Sequence, residues 1–189
     1  MKKNTKILNL FGGPGTGKST ICAGVFSELK WRNIDCEMAT EYAKDKVWGE
    51  DFKTLECQPY IFGKQLYRIH RLLGKVDIIV TDSPLLLSVI YDKSNSDTFK
   101  KFVLEQINTM NNFNVFLERK KSYNPNGRMQ TEKEAIEIDK RIKSMFENNY
   151  VKGNVGFFEA TRESVINITN FVTEGEIYEI DHRRQQKIQ

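Results

Sequence analysis

The stretch Gly12-Gly13-Pro14-Gly15-Thr16-Gly17-Lys18-Ser19 fits the pattern GxxxxGK[ST]. The apolar run Ile7–Phe11 enters it, and residues from Ser19 to Phe26 leave it with helical spacing, so strand, glycine turn and helix start are all in register. Glycines have no Cβ to clash where backbone N–H groups curl inward, and the first helical turn adds unpaired donors aimed at the same point. Such a loop is a phosphate cradle. Residues Gly12, Gly13, Pro14, Gly15, Thr16, Gly17, Lys18, Ser19 and Thr20 are therefore expected to hold a nucleoside triphosphate. Lys18 would place charge on its outer phosphates and the Ser19 hydroxyl would join the shell of Mg²⁺, while Thr20 supports the helix start.

Two acids and two arginines extend this reading. Val76-Asp77-Ile78-Ile79-Val80-Thr81-Asp82 is an apolar strand ending in an acid, which predicts that Asp82 binds a metal water or Ser19. Glu41 follows a second strand, Ile34–Ala39, and strand carboxyl ends line the ligand crevice of an open parallel sheet. Glu41 is therefore expected to orient or deprotonate an acceptor hydroxyl, with Asp82 serving the metal. One carboxylate cannot easily do both. Beyond a later strand, residues 119–130 form a cationic, turn-rich loop carrying Arg119 and Arg128. Arginines on a segment able to close over a transferring phosphoryl group match its spread charge and expel water. Gln65 and Arg68, on the polar side of a helix over 60–73, could point toward the acceptor.

The elements that must position these residues alternate. Strands are predicted over 5–11, 34–39, 76–82, 114–118 and 154–159, and helices over 18–31, 60–73, 85–91, 95–110 and 131–149. The last of these starts at a capping box, Thr131 with Glu134. Residues 47–59 read as irregular, and 163–172 reads as a helix with β-branched content that leaves a strand open. The pattern predicts an α/β P-loop NTPase fold, a parallel sheet flanked by helices, in one domain over 1–179. Its lid spans about 119–131, and a basic polar tail occupies 180–189.

The chain has 189 residues and a formal charge of +4, with acids and bases interspersed. That balance does not mark a nucleic-acid protein by itself. The three cysteines, Cys22, Cys36 and Cys57, follow no metal-site spacing, and the first two read as core residues in a reducing compartment. No run of 18 apolar residues occurs, and the basic start leads straight into the first strand. A soluble, cytoplasmic protein with no membrane partner is expected. His70 and His182 stand apart from any nucleophile or ligand cluster.

A motor ATPase needs coupled domains or a ring, and a regulatory GTPase needs a base-reading N/TKxD element that is absent. A compact kinase with ATP and Mg²⁺ is the better fit. The chain resembles the small P-loop kinase-like ATPases common in bacteriophages, a group similar to NadR-type nicotinamide riboside kinase domains and to phage kinases of 5-hydroxymethyluracil in DNA. The resemblance covers about residues 5–150. It rests on Phe11–Thr20, Thr40-Glu41-Tyr42-Ala43-Lys44, Asp82-Ser83-Pro84 and Tyr123-Asn124-Pro125-Asn126-Gly127-Arg128 before Gln130-Thr131-Glu132. It implies Glu41 near the acceptor, Asp82 at the metal and Arg128 in the lid. The acceptor would be a nucleoside, a nucleotide or a modified base in DNA, with DNA binding as a consequence of the last. The alternative is a nucleic-acid-associated or regulatory P-loop ATPase with no kinase product.

Overall fold

Along Ile7-Leu8-Asn9-Leu10-Phe11 successive side chains point to opposite faces, and every one of them is buried, as expected for a central strand covered on both sides. This is β1 (Lys6–Phe11). A computed structural model describes residues 3–120, 122–124 and 130–175. The other strands are β2 (Cys36–Met38), β3 (Ile78–Thr81), β4 (Asn111–Glu118) and β5 (Asn154–Glu159). All pairings are parallel, in the order β2-β3-β1-β4-β5, with Ile7 opposite Ile79 and Asn9 opposite Asn114.

The helices are α1 (Lys18–Trp31), α2 (Tyr42–Trp48), α3 (Phe52–Glu56), α4 (Gln58–His70), α5 (Leu87–Tyr91), α6 (Asp97–Asn108), α7 (Glu132–Glu147) and α8 (Ser164–Glu174). One face of the sheet, with Ile7, Phe11, Ile79 and Phe116, packs on Phe62 and Ile69 of α4, Ile90 of α5, Val103 of α6 and Ile142 of α7. The opposite face, with Leu8, Leu10 and Val80, packs on Val25 and Leu29 of α1 and Ile168 and Phe171 of α8. Each fully buried Leu or Ile contributes roughly 1.5–3 kcal/mol of transfer free energy, so these two layers hold the sheet. The carboxyl ends of β1 and β3 consequently lie side by side, with the loops after them on one rim.

The expected α/β architecture is present, with differences at its margins. The second strand is shorter than 34–39, and the fourth begins earlier than 114 because Asn112 and Asn114 find partners inside the sheet. Asn9 Nδ2 donates to both of their Oδ1 atoms at 3.0 Å. Residues 47–59 are not irregular: they include the end of α2, all of α3 and the start of α4. Helices of seven and five residues with no buried side chain carry no periodic stripe, so the sequence pattern is silent there. The stretch expected over 163–172 is a helix from Ser164 onward, since Ile168, Phe171 and Val172 are buried on one side. The expected tail at 180–189 lies outside the described residues. Among the described residues, no helix is long and apolar enough to cross a membrane.

Candidate phosphoryl-transfer site

The phosphate loop takes backbone conformations that only glycine adopts cheaply. Gly15 has φ 77°, and Gly17, at φ 109°, precedes the first turn of α1. Lys18 Nζ donates to Gly12 O at 2.7 Å and Gly13 O at 3.0 Å, so the ammonium lies folded along the loop. Burial lowers its pKa, while the negative charges of Glu41, Asp82 and Asp139 pull it back up. The side chain still touches water, yet the protein packed round the charge outweighs that contact.

Ser19 Oγ donates to Asp82 Oδ2 at 2.5 Å, joining the helix start to the end of β3. Asp82 is buried, and among the described residues its Oδ1 has no hydrogen-bond partner. A buried carboxylate oxygen left over beside a serine hydroxyl is costly unless something completes it. A hydrated hard cation would: Mg²⁺ takes oxygen donors and keeps its waters, so Ser19 and Asp82 fit it.

Glu41 occupies a separate position. It precedes α2 in extended conformation (φ −65°, ψ 120°), and its side chain makes no capping bond. Its backbone is tied down from three sides. Thr81 Oγ1 donates to Ala39 O at 2.7 Å, Gln65 accepts from Tyr42 N at 3.0 Å and donates to Thr40 O at 3.2 Å, and Arg68 donates to Thr40 O at 2.9 Å. Burial raises the Glu41 pKa, opposed by Lys18 and reinforced by Asp82. Tyr91, at the end of α5, has its phenol pushed up by burial and, less, by the charges of Glu41 and Asp139.

Gln65 is thus committed to the main chain beside Glu41, while Arg68 also stands at the surface, 5.3 Å from the Tyr42 ring. Gln65 is buried and spends both ends of its amide on the backbone around Glu41, and Arg68 adds an ion pair to Asp45 at 2.6 Å. The Ser83 N–H donates to Thr81 Oγ1, which extends the tie between the ends of β2 and β3.

Arg119 is packed onto the phosphate loop. Its Nη2 reaches Pro14 O at 2.9 Å and Asp139 Oδ2 at 2.8 Å. Tyr123 lies over the loop, where a Cβ on Gly15 would come within 3.0 Å of its ring, and its hydroxyl donates to Gln130 O. The other expected lid arginine, Arg128, lies outside the described residues. Lys120 is an exposed partner of Glu159 at 2.7 Å.

Residues 8–155 match a family profile described as an AAA domain. The chain belongs to that family. The matched span of this AAA domain family takes in the phosphate loop, Glu41, Asp82, Arg119 and Asp139, and stops within β5, leaving α8 beyond it. No curated protein matches the chain. Among solved structures, deoxyadenosine kinase from M. mycoides with bound dATP is 18% identical with a TM-score of 0.55, over 86% of this chain and 96% of that one. APS kinase CysC from Mycobacterium tuberculosis is 11% identical (TM-score 0.46; 88% and 98% covered), and shikimate kinase from Bacteroides thetaiotaomicron is 14% identical (0.48; 90% and 97%). The first likeness shows the fold: a parallel sheet flanked by helices, as in P-loop kinases.

The sequence pattern singles out neither Thr81 nor Asp139. Thr81 looked like one more strand residue. Asp139 carried a usable signal, since it stands four residues after Ala135 and three before Ile142, on the buried stripe of α7 rather than its wet face.

Proposed function

We propose that this protein is an ATP-dependent phosphotransferase that moves the γ-phosphoryl group to a hydroxyl of a nucleoside, a nucleotide or a 5-hydroxymethylated pyrimidine base in DNA, in the cytoplasm of its cell. One observation carries the reading. The crevice holds two carboxylates with different commitments: Asp82 is bonded to Ser19 at 2.5 Å, whereas the backbone around Glu41 is held and its side chain makes no capping bond, in the field of the Lys18 charge. A second acid so placed can take the proton of an attacking hydroxyl, and the fate of labelled phosphate decides whether that hydroxyl belongs to an acceptor or to water.

In this reading the loop N–H groups and Lys18 bind the triphosphate, and Ser19 and Asp82 would hold Mg²⁺. Bound there, the cation would neutralise charge on the phosphates. Glu41 accepts the acceptor's hydroxyl proton as the new O–P bond forms and the bond to the ADP oxygen breaks. Lys18, Arg119 and Arg128 match the charge on the transferring group. Deoxyadenosine kinase, the neighbour with the same fold, supports a nucleoside-type acceptor.

A surface on α2 and α4 favours the DNA form of that acceptor. Tyr67 is 67% exposed, Tyr42 has Lys46 at 5.6 Å and Arg68 at 5.3 Å from its ring, and Lys64 lies 5.3 Å from the ring of Tyr60. Exposed rings among cations suit stacked bases and a phosphate backbone. This face adjoins Glu41.

The test is transfer of label from γ-labelled ATP to nucleosides, mononucleotides and single-stranded oligonucleotides with and without hydroxymethylated pyrimidines. The reading expects label on at least one of these. Label released only as phosphate, with every acceptor inert, would return the protein to the regulatory or nucleic-acid-associated ATPase reading.

A further inference from the structure

Asp139 joins the phosphate loop to an arginine. Its Oδ1 accepts Gly13 N–H at 2.5 Å and lies 3.3 Å from Thr16 Oγ1, and its Oδ2 receives Arg119 Nε at 2.9 Å and Nη2 at 2.8 Å. The guanidinium then continues to Pro14 O and to Thr16 Oγ1 at 3.3 Å. The helix bearing Asp139 also touches the loop directly, because a Cβ on Gly13 would fall 2.6 Å from Ala135 O. A carboxylate on α7, a guanidinium after β4 and residues 13, 14 and 16 of the loop therefore form one bonded unit.

The guanidinium is not fully used. Arg119 Nη1 is buried, and among the described residues it has no hydrogen-bond partner. It lies 3.2 Å from the position a Cβ would take on Gly15, in the middle of the cradle. Nε and Nη2 are spent on the protein, so the fork is fixed in plane and its remaining edge faces the loop.

The geometry points to Asp139 as a positioning residue that aims Arg119 Nη1 at a nucleotide phosphate oxygen and holds the loop at Gly13. This rests on the reading of residues 12–19 as a phosphate site. A plain ion pair between β4 and α7 would need neither contact with residues 13, 14 and 16 nor a spare buried donor beside residue 15. The carboxylate also has an electrostatic task. Before nucleotide arrives it offsets the guanidinium charge, which would otherwise be buried alone. When a phosphate oxygen arrives, the donor needs no reorientation, so the ordering has been completed during folding.

The experiment compares Arg119→Ala, Asp139→Asn, Asp139→Ala and the double alanine variant in the full chain. Readouts are MgADP affinity by calorimetry, kcat and KM for ATP, and the melting temperature, each with and without added guanidinium ion below denaturing concentration. Arg119→Ala is expected to weaken MgADP about tenfold or more, the loss of one hydrogen bond to a charged group. Guanidinium should restore part of that affinity where Asp139 remains to seat it, and none in the double variant. Asp139→Asn keeps an acceptor for Gly13 but not the charge, and should fall between wild type and Asp139→Ala in affinity. Equal rescue with and without Asp139, or no rescue in either, overturns the inference. So does a melting temperature that falls in Arg119→Ala while MgADP affinity stays at the wild-type value. Wild-type protein that binds no MgADP would instead sink the phosphate-site reading beneath it.

Discussion

The two sides of the crevice are built differently. On the donor side the polar groups are bonded to one another: Lys18 to the loop carbonyls, Ser19 to Asp82, and Arg119 to Asp139 and Pro14. On the acceptor side the backbone around Glu41 is fixed by Thr81, Gln65 and Arg68, while the carboxylate itself is not among those bonds. In the proposed reading the donor side is bonded in advance apart from Asp82 Oδ1 and Arg119 Nη1, the two buried atoms that, among the described residues, are left for a cation and a phosphate. Its counterpart is a fixed frame around one free acid, which suits an acceptor that supplies its own hydroxyl and completes the site.

The sharpest way to break this contrast is to neutralise the free acid. Glu41→Gln should lower phosphoryl transfer about 10²–10⁴-fold, the range for loss of a general base, and leave slow ATP hydrolysis without acceptor nearly unchanged. Equal loss of both, measured with labelled ATP, would mean that Glu41 belongs to the donor side. Lys18→Ala should cost about 10²–10³-fold in both transfer and hydrolysis, as for removal of one charge-stabilising donor, with the circular dichroism spectrum retained.

Acidity separates the sides in a second way. Burial raises the Glu41 pKa above the usual 4.5, so the ionised base is lost as pH falls through that raised value, and the acid limb of kcat should sit above that of an ordinary glutamate. Burial lowers the Lys18 pKa below 10.5, so its charge, and with it activity, is lost as pH rises through the lowered value. In Glu41→Gln the acid limb should vanish and the alkaline one persist. The folded state also binds the Glu41 proton more tightly than the unfolded chain. Its contribution to stability is therefore greatest at low pH and declines as pH rises from 4.5 through the raised value, a slope that Glu41→Gln removes.

Smaller effects sharpen the comparison without breaking it. Asp82→Asn should weaken Mg²⁺ binding about 10–100-fold, as for loss of an outer-sphere partner, seen in the Mg²⁺ dependence of ATP binding. Thr131→Ala should cost about 1 kcal/mol in urea unfolding, because Thr131 Oγ1 and Glu134 close the capping box at the start of α7.

The sequence shows the donor side well because its parts are local. A strand, a glycine turn and a helix start occupy adjacent residues, and Asp82 follows an unbroken apolar run. The frame around Glu41 is not local. Gln65 stands on the buried stripe of α4 between Ile61 and Ile69, with Arg68 beside that stripe, and only the folded chain shows that the main chain at 39–42 passes there. Asp139 meets Gly13 from 126 residues away. Separations of that size leave no periodic trace, although an acid on an otherwise apolar stripe asks for a partner. The short helices α2 and α3 escape for another reason: they bury nothing, and burial is what periodicity records.

The amide of Asn9 bridges two neighbouring asparagines in the middle of the sheet, and this sets an address for everything downstream on β4. Parallel strands rich in Val, Leu and Phe could slide past one another with little change in greasy contact, but a slide would strand these amides away from water. Displacement by two residues would carry Arg119 about 7 Å along the strand axis, clear of Pro14. A triplet of uncharged side chains far from any reacting atom thereby sets how deep the guanidinium sits.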